Sequence, residues 1–203
     1  MRQVSENSSS NLDSFNQLVL QFQNLVYQQA YYLLGDPQAA EDATQDSFIS
    51  AWQHYSDQRG GSLKAWLLRI VTNKCYDEMR RWKRQPQTEF EPLNIYGEEV
   101  ESAYWMEERG ELPEKQVENA ELGQKLGEFL ARLPVERRAA VLLVDIQELN
   151  YSEAAQVLGI SIGTLKSRLA RARKQLRSLI LIEGGIEISA FIPLGQEQPP
   201  LPG

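Results

Sequence analysis

Residues 151–176, YSEAAQVLGISIGTLKSRLARARKQL, decide the fold. Ser152 stands where it can cap a first short helix. Ala154 and Ala155 fall where two helices would cross, and only small side chains let the backbones approach there. Gly159 falls at the turn, where the chain needs a positive φ that glycine adopts without a Cβ clash. Ser161 can cap a second helix. Ile162, Leu165, Leu169, Ala172 and Leu176 then recur at steps of three and four, which predicts a buried stripe. The opposite side carries Gly163, Thr164, Ser167, Ala170, Arg171 and Lys174. This is the pattern of a helix-turn-helix whose second helix enters a DNA major groove. Small residues near its start let the backbone approach. Thr164, Ser167, Arg168 and Arg171 can reach base edges or phosphates. Lys166, Arg173 and Arg177 flank that face and suit phosphates. Residues 164–177 hold six Lys/Arg and no acid. A solvated helical hairpin is the competing reading, but such a face seldom carries cations alone.

Upstream of this motif, the pattern over 136–147 predicts a helix set off by Pro134, and 114–132 also has helical character. Residues 85–132 contain twelve Glu against four Lys/Arg. Pro86, Pro92 and Pro113 interrupt the glutamate-rich stretch, which reads as a flexible connector over 86–113. The tail, 180–203, is apolar and then proline-rich, with no assigned fold.

The N-terminal half has its own helical signals. Residues 1–10 are polar and expected to be disordered, with Ser10-x-x-Asp13 resembling a capping box. Leu12, Phe15, Leu18, Val19, Phe22, Leu25 and Val26 then follow at helical spacing. Asp36-Pro37 marks a second helix, reaching about His54. It carries a small-residue stripe at Ala40, Ala43, Ser47 and Ala51. Gly60-Gly61 breaks the chain, and Ser62 can cap a third helix over 63–84. One side of that helix is apolar: Leu63, Leu67, Ile70, Val71, Cys75, Met79 and Trp82. The other carries Arg69, Asn73, Tyr76, Arg80, Lys83 and Arg84. Residues 69–84 hold six Lys/Arg and two acids. Taken alone, a basic helix end is as well explained by the helix dipole. Its nearness to Tyr55, Trp66 and Tyr76 favours nucleic acid, because aromatic rings beside cations can hold unstacked bases.

Composition narrows the function. The net charge is −7, yet a polyanion responds to local patches within roughly 10 Å, not to the sum. One cysteine and one histidine exclude a disulfide framework, and a protein-only zinc site would need other ligands. The sequence implies no cofactor and no catalytic residue. No stretch nears the roughly 20 apolar residues of a membrane span, and no secretory leader is visible. A cytoplasmic protein without membrane insertion is expected.

Three segments in order, EDATQDSFISAWQH (41–54), GSLKAWLLRIVTNKCYDEMRRWKR (61–84) and LPVERRAAVLLVDIQELNYSEAAQVLGISIGTLKSRLARARKQL (133–176), resemble bacterial RNA polymerase sigma factors. The likeness is to the extracytoplasmic-function (group IV) class of the sigma-70 family. It implies an all-α protein with two small helical domains joined by a flexible acidic linker. The domains would be region 2 at 11–85 and region 4 at 114–179. The 86–113 connector is long for compact members, and the tail has no counterpart. The resemblance assigns Asp42, Gln45, Asp46, Phe48, Ile49 and Trp52 to the β′ clamp helices of core polymerase. It gives the loop 55–63, with Tyr55, to a flipped nontemplate base. It places Asn73, Asp77 and the basic face on −10 DNA. It puts the acidic linker in the RNA channel and the helix at 136–147 on the β flap. Ser161, Thr164, Lys166, Ser167, Arg168, Arg171, Arg173 and Lys174 would serve −35 DNA. Core polymerase, promoter DNA and an anti-sigma factor are the partners it implies, and stress-responsive transcription the setting. The residues leave two rivals. One is a stand-alone helix-turn-helix regulator; the other is a nuclease holding Mg²⁺ at Glu41, Asp42 and Asp46.

Overall fold

A computed structural model describes residues 2–58, 60–84 and 123–183, with side chains for 11–58, 60–84 and 123–182. The described residues form helices and turns, with no strand among them. The chain divides into two compact units, Met1–Gly110 and Glu111–Gly203. The acidic connector at 86–113 and the tail beyond 183 lie outside the described residues.

Unit 1 is built from α1 (Arg2–Leu34), α2 (Pro37–His54) and α3 (Leu63–Arg84), each packed against the other two. Helix α1 begins at Arg2, ahead of the start expected at Ser10. No Gly or Pro interrupts 2–34, so nothing stops the backbone hydrogen-bond ladder from running back through the polar residues. Gly35, at φ 75°, ends it. Asp36 then caps α2, its Oδ1 accepting from Ala39 N at 2.7 Å, with Pro37 at the first position.

The small stripe Ala40, Ala43, Ser47 and Ala51 is fully buried, or nearly so. It lets α1 and α3 close onto α2, while the Ser47 hydroxyl is satisfied by donating to Ala43 O. Phe15, Leu18, Val26, Ala30 and Leu33 of α1 and Leu67, Leu68, Val71 and Cys75 of α3 are buried in the core of this unit. Each large aliphatic side chain sealed there contributes roughly 1.5–3 kcal/mol. A buried polar contact ties α1 to α3, where Gln29 Nε2 donates to Thr72 Oγ1 at 3.2 Å. Leu63 and Trp82 were expected in this core but are exposed. They sit in the first and last turns of α3.

Unit 2 contains α4 (123–131), α5 (Val135–Val141), a π-helical turn (Leu142–Ile146), α6 (Tyr151–Leu158) and α7 (Ile162–Glu183). The single helix expected at 136–147 is therefore α5 followed by a wider turn. Its closing bond is Gln147 N to Leu142 O, five residues back. Leu149 N then reaches Leu143 O, and Glu148 takes φ 53° to make the exit. Helix α7 packs on α5 and α6 through Leu165, Leu169, Ala172, Leu176 and Ile180, all buried. Ile162, expected in that stripe, is exposed because it is the first residue of α7.

Candidate nucleic-acid interface

Helices α6 and α7 form the helix-turn-helix. Its first helix is capped by Asn150, not by Ser152. Asn150 Oδ1 accepts from Glu153 N at 2.9 Å, and the Glu153 carboxylate accepts from Asn150 N at 3.1 Å. This reciprocal box satisfies two orphan amide donors at once. Ser152 sits one residue inside the helix and has no such geometry. Ala154 and Ala155 are buried as the crossing requires. Gly159 adopts φ 63° and ψ 34°, a left-handed cap. Ser161 caps α7 by accepting from Thr164 N at 3.1 Å.

The outer face of α7 is open. Ser161, Thr164, Lys166, Ser167, Arg171 and Lys174 are exposed and Arg168 is half-buried. Ser161 and Thr164 hydroxyls lie 2.9 Å apart, and Ser167 Oγ donates to Thr164 O at 2.9 Å. Both bonds are local and can be exchanged for a ligand. No carboxylate shares this stretch of helix. Lys166 Nζ lies 5.8 Å from the centre of the Tyr151 ring.

Arg173 departs from the expectation. Its Nε and Nη2 donate to Asp145 Oδ2 at 3.1 Å and Oδ1 at 2.5 Å. The Asp145 side chain is 1% exposed and that of Arg173 is 24% exposed. Donation of hydrogen bonds to the Asp145 carboxylate raises the guanidinium pKa above its ordinary value, against the opposing pull of burial. Among the described residues, Arg173 is the one α7 cation in a salt bridge, and its charge is used inside the unit. The α7 periodicity gave no sign of Asp145, since the pair is 28 residues apart.

The basic side of α3 is exposed at Arg69, Asn73, Asp77, Arg80, Lys83 and Arg84, with Tyr76 half-buried. It is internally paired. Arg80 bridges Asp77 at 2.6 Å, Arg81 bridges Glu78 at 3.1 Å, and Lys74 meets Asp46 of α2 at 3.7 Å. Arg84 Nε donates to Arg80 O. Lys74 and Arg81 were not singled out from the sequence. The i, i+3 spacing of Glu78 and Arg81 was the available signal for one of them.

Beyond a short 3-10 turn (Tyr55–Asp57), Gly60 and Gly61 take φ 79° and 84°. Asn11, Tyr55, Ser56, Gln58, Gly60, Gly61 and Leu63 line an open depression of about 480 Å³. Tyr55 packs edge-on against Phe15, with ring centres 5.2 Å apart.

Helix α2 presents Asp42, Gln45 and Asp46 exposed, with Phe48 half-buried. Ile49 is 58% and Trp52 42% exposed, so an apolar pair sits beside the acidic residues. Trp52 is steadied by Phe15, ring centres 5.1 Å apart. Glu41, Asp42 and Asp46 do not gather into a metal-competent cluster, and none occurs among the described residues. No helix of those residues is long and apolar enough to cross a membrane.

These features define a two-unit helical protein with a helix-turn-helix that presents an exposed basic face in its second unit. The family descriptions "Sigma-70 region 2" and "Sigma-70, region 4" match residues 18–85 and 123–176. The chain is 36% identical over 169 residues to the ECF RNA polymerase sigma factor SigE of Mycolicibacterium smegmatis, covering 83% of this chain and 62% of SigE. It is 36% identical over 168 residues to the ECF sigma factor SigM of Mycobacterium tuberculosis, covering 82% of this chain and 77% of SigM. A solved structure of the sigma factor RpoE with the anti-sigma factor NepR, from Bartonella quintana, is similar at TM-score 0.62 and 27% identity. That match covers 83% of this chain and 98% of the other. The chain belongs to the sigma-70 family of RNA polymerase sigma factors, in its ECF class.

Proposed function

We propose that this protein binds core RNA polymerase and directs it to promoters by reading a −35 element with α7 and a −10 element with α3. The observation that carries the reading is the outer face of α7. A capped helix start with small residues, followed by exposed Thr164, Lys166, Ser167, Arg171 and Lys174, backs onto a fully buried stripe. Thr164, Ser167, Arg168 and Arg171 address base edges or phosphates, and Lys166 and Lys174 address phosphates.

The domains are 11–85 and 114–179, with 86–113 as the tether. The β′ clamp helices bind α2 at Asp42, Gln45, Asp46, Phe48, Ile49 and Trp52, an apolar pair with a polar rim. The β flap receives the second domain. Arg69, Asn73, Tyr76, Asp77, Arg80, Lys83 and Arg84 contact −10 DNA. Tyr55, at the mouth of the Gly60-Gly61 depression, supports capture of an unstacked base, which requires a few kcal/mol per base step. Two weak readers on one polymerase gain by effective concentration. Chemistry belongs to the core enzyme. By likeness to the RpoE structure, an anti-sigma factor is a further partner, and the setting of this reading is the cytoplasm.

In vitro transcription with core polymerase, with and without this chain, on a pool of promoter fragments tests the reading. Expected is chain-dependent initiation at sites sharing paired elements. Ser167→Ala or Arg171→Ala should alter the −35 preference. Tight duplex binding without polymerase, and no stimulation with it, would instead identify a stand-alone regulator.

A further inference from the structure

The Asp145–Arg173 pair is unusual in this protein. Among the described residues it is the one salt bridge whose carboxylate is sealed from solvent. One guanidinium edge is engaged in full: Nε donates to Oδ2 and Nη2 to Oδ1. Two parallel hydrogen bonds fix direction as well as distance. Asp145 belongs to the π-helical turn, which no regular α-helix would place in the same position. Arg173 lies in the middle of α7.

The pair reaches the DNA-facing side through a third residue. Tyr151, first residue of α6, stands beside Arg173 and favours its charged form. Its ring in turn lies under Lys166 Nζ. A buried carboxylate is thus linked to an exposed cation through contiguous side chains from three elements. A helix with 3.6 residues per turn swings its faces by about 100° per residue. A contact that fixes α7 about its own axis therefore fixes which side chains meet the groove.

We infer that Arg173 is a positioning residue for −35 reading. Held by Asp145, it sets the rotation of α7 and so which side chains face the bases, and it does not itself contact DNA. The inference rests on the −35 reading proposed above. A phosphate ligand would need a guanidinium with open donors at the surface. This one is about three-quarters covered, with its Nε edge committed to Asp145.

The test uses the full chain with core RNA polymerase and a promoter pool randomised at the −35 element. Asp145→Asn keeps the side-chain shape and weakens the pair. Arg173→Lys keeps a cation and loses the fork. Positioning predicts that both relax selection at −35 base pairs by roughly five-fold, the low end of what a mismatched pair does. Selection at −10 and the salt dependence of promoter binding should stay at parental values. A phosphate role predicts the reverse for Asp145→Asn: a released Arg173 would tighten binding and steepen the salt slope while selection stays parental. That result, or parental selection in both variants, overturns the inference.

Asp145→Leu with Arg173→Met replaces the pair by apolar groups, a change that often preserves or raises stability. It keeps the test decisive if a single variant loses helicity by circular dichroism. Relaxed selection with full helicity supports positioning; parental selection overturns it. Ser167→Ala runs in parallel. If it too leaves selection unchanged, the failure lies in the −35 reading itself and not in Arg173.

Discussion

Replacing Lys166 and Lys174 together by alanine should flatten the salt dependence of promoter binding by close to two counterions. Both side chains are exposed on α7, and neither is in a salt bridge among the described residues. Each phosphate contact contributes about 0.9 to the slope of log K against log salt, so two contribute about 1.8. Between about 50 and about 200 mM salt that slope is worth roughly twelve-fold in affinity. The parent should therefore lose about twelve-fold more affinity than the variant across this range. The fold is not at risk, because exposed substitutions usually stay within about 0.5 kcal/mol. The Tyr151 ring loses one cation neighbour, worth about 0.5–1 kcal/mol at an exposed site. The assay is fluorescence anisotropy of a labelled promoter fragment with holoenzyme over a salt series. The double variant Asp145→Leu/Arg173→Met serves as comparator and should keep the parental slope. A Lys166/Lys174 variant with the parental slope would refute phosphate contact at both residues.

The other expectations concern the polymerase face, the core and the turn. Asp46→Arg should abolish co-purification with core polymerase while circular dichroism stays helical, since Asp46 is exposed and loses only the weak bridge to Lys74; retained association would remove this face from the interface. Burial pushes the Cys75 thiol up to about 12 from an ordinary 9.0. The folded protein then keeps a proton that the unfolded chain releases above about pH 8.5, so this stability is complete below that pH and declines as pH rises toward 12. At pH 10.5, about two units above the unfolded value, the loss should be about 2.7 kcal/mol. Cys75→Ala should make urea midpoints less sensitive to pH above 8.5, and equal sensitivity in both proteins would contradict it. Asn150→Ala breaks the capping box and should lower unfolding free energy by about 1 kcal/mol, read by denaturant titration. No change would mean that Glu153 and solvent replace the cap.

Much of this architecture was legible from short-range signals. Asp36-Pro37, Ser62, Gly159 and Ser161 each act within three or four residues, and each is found in the role its chemistry suggests. The periodic apolar stripe of α7 was equally local, apart from Ile162. What escaped was long-range or depended on choosing between equivalent local options. Asn150 and Ser152 are both good caps, and the Asn150-x-x-Glu153 spacing was the deciding signal. Arg173 looked like its cationic neighbours because the helical pattern treats any arginine as solvent-facing. Only the fold brings Asp145 beneath it. The pairing of Lys74 with Asp46, and of Gln29 with Thr72 across 43 residues, was hidden for the same reason. The widened turn at Leu142–Ile146 has no sequence signature in its helix-compatible residues.

The two basic helices differ in a way that charge counting missed. Each stretch, 69–84 and 164–177, has six cations. Among the described residues, one of them on α7, Arg173, is bridged to a carboxylate, and three on α3 are: Lys74, Arg80 and Arg81. Cations without such bridges attract any duplex through its phosphates, which suits a helix that must first find DNA. A paired cation gains less from a phosphate, since a carboxylate must be displaced first. Exposed pairs of this kind are worth about 0–1 kcal/mol each, enough to dampen indiscriminate attraction without preventing a specific contact. A face built this way favours a ligand that offers more than charge. Bases stacked on Tyr55 or Tyr76 would supply that surplus, and duplex DNA, with its bases hidden, would not. The ion pairs of α3 thus argue for a reader of opened DNA, and the unbridged cations of α7 for a reader of closed DNA.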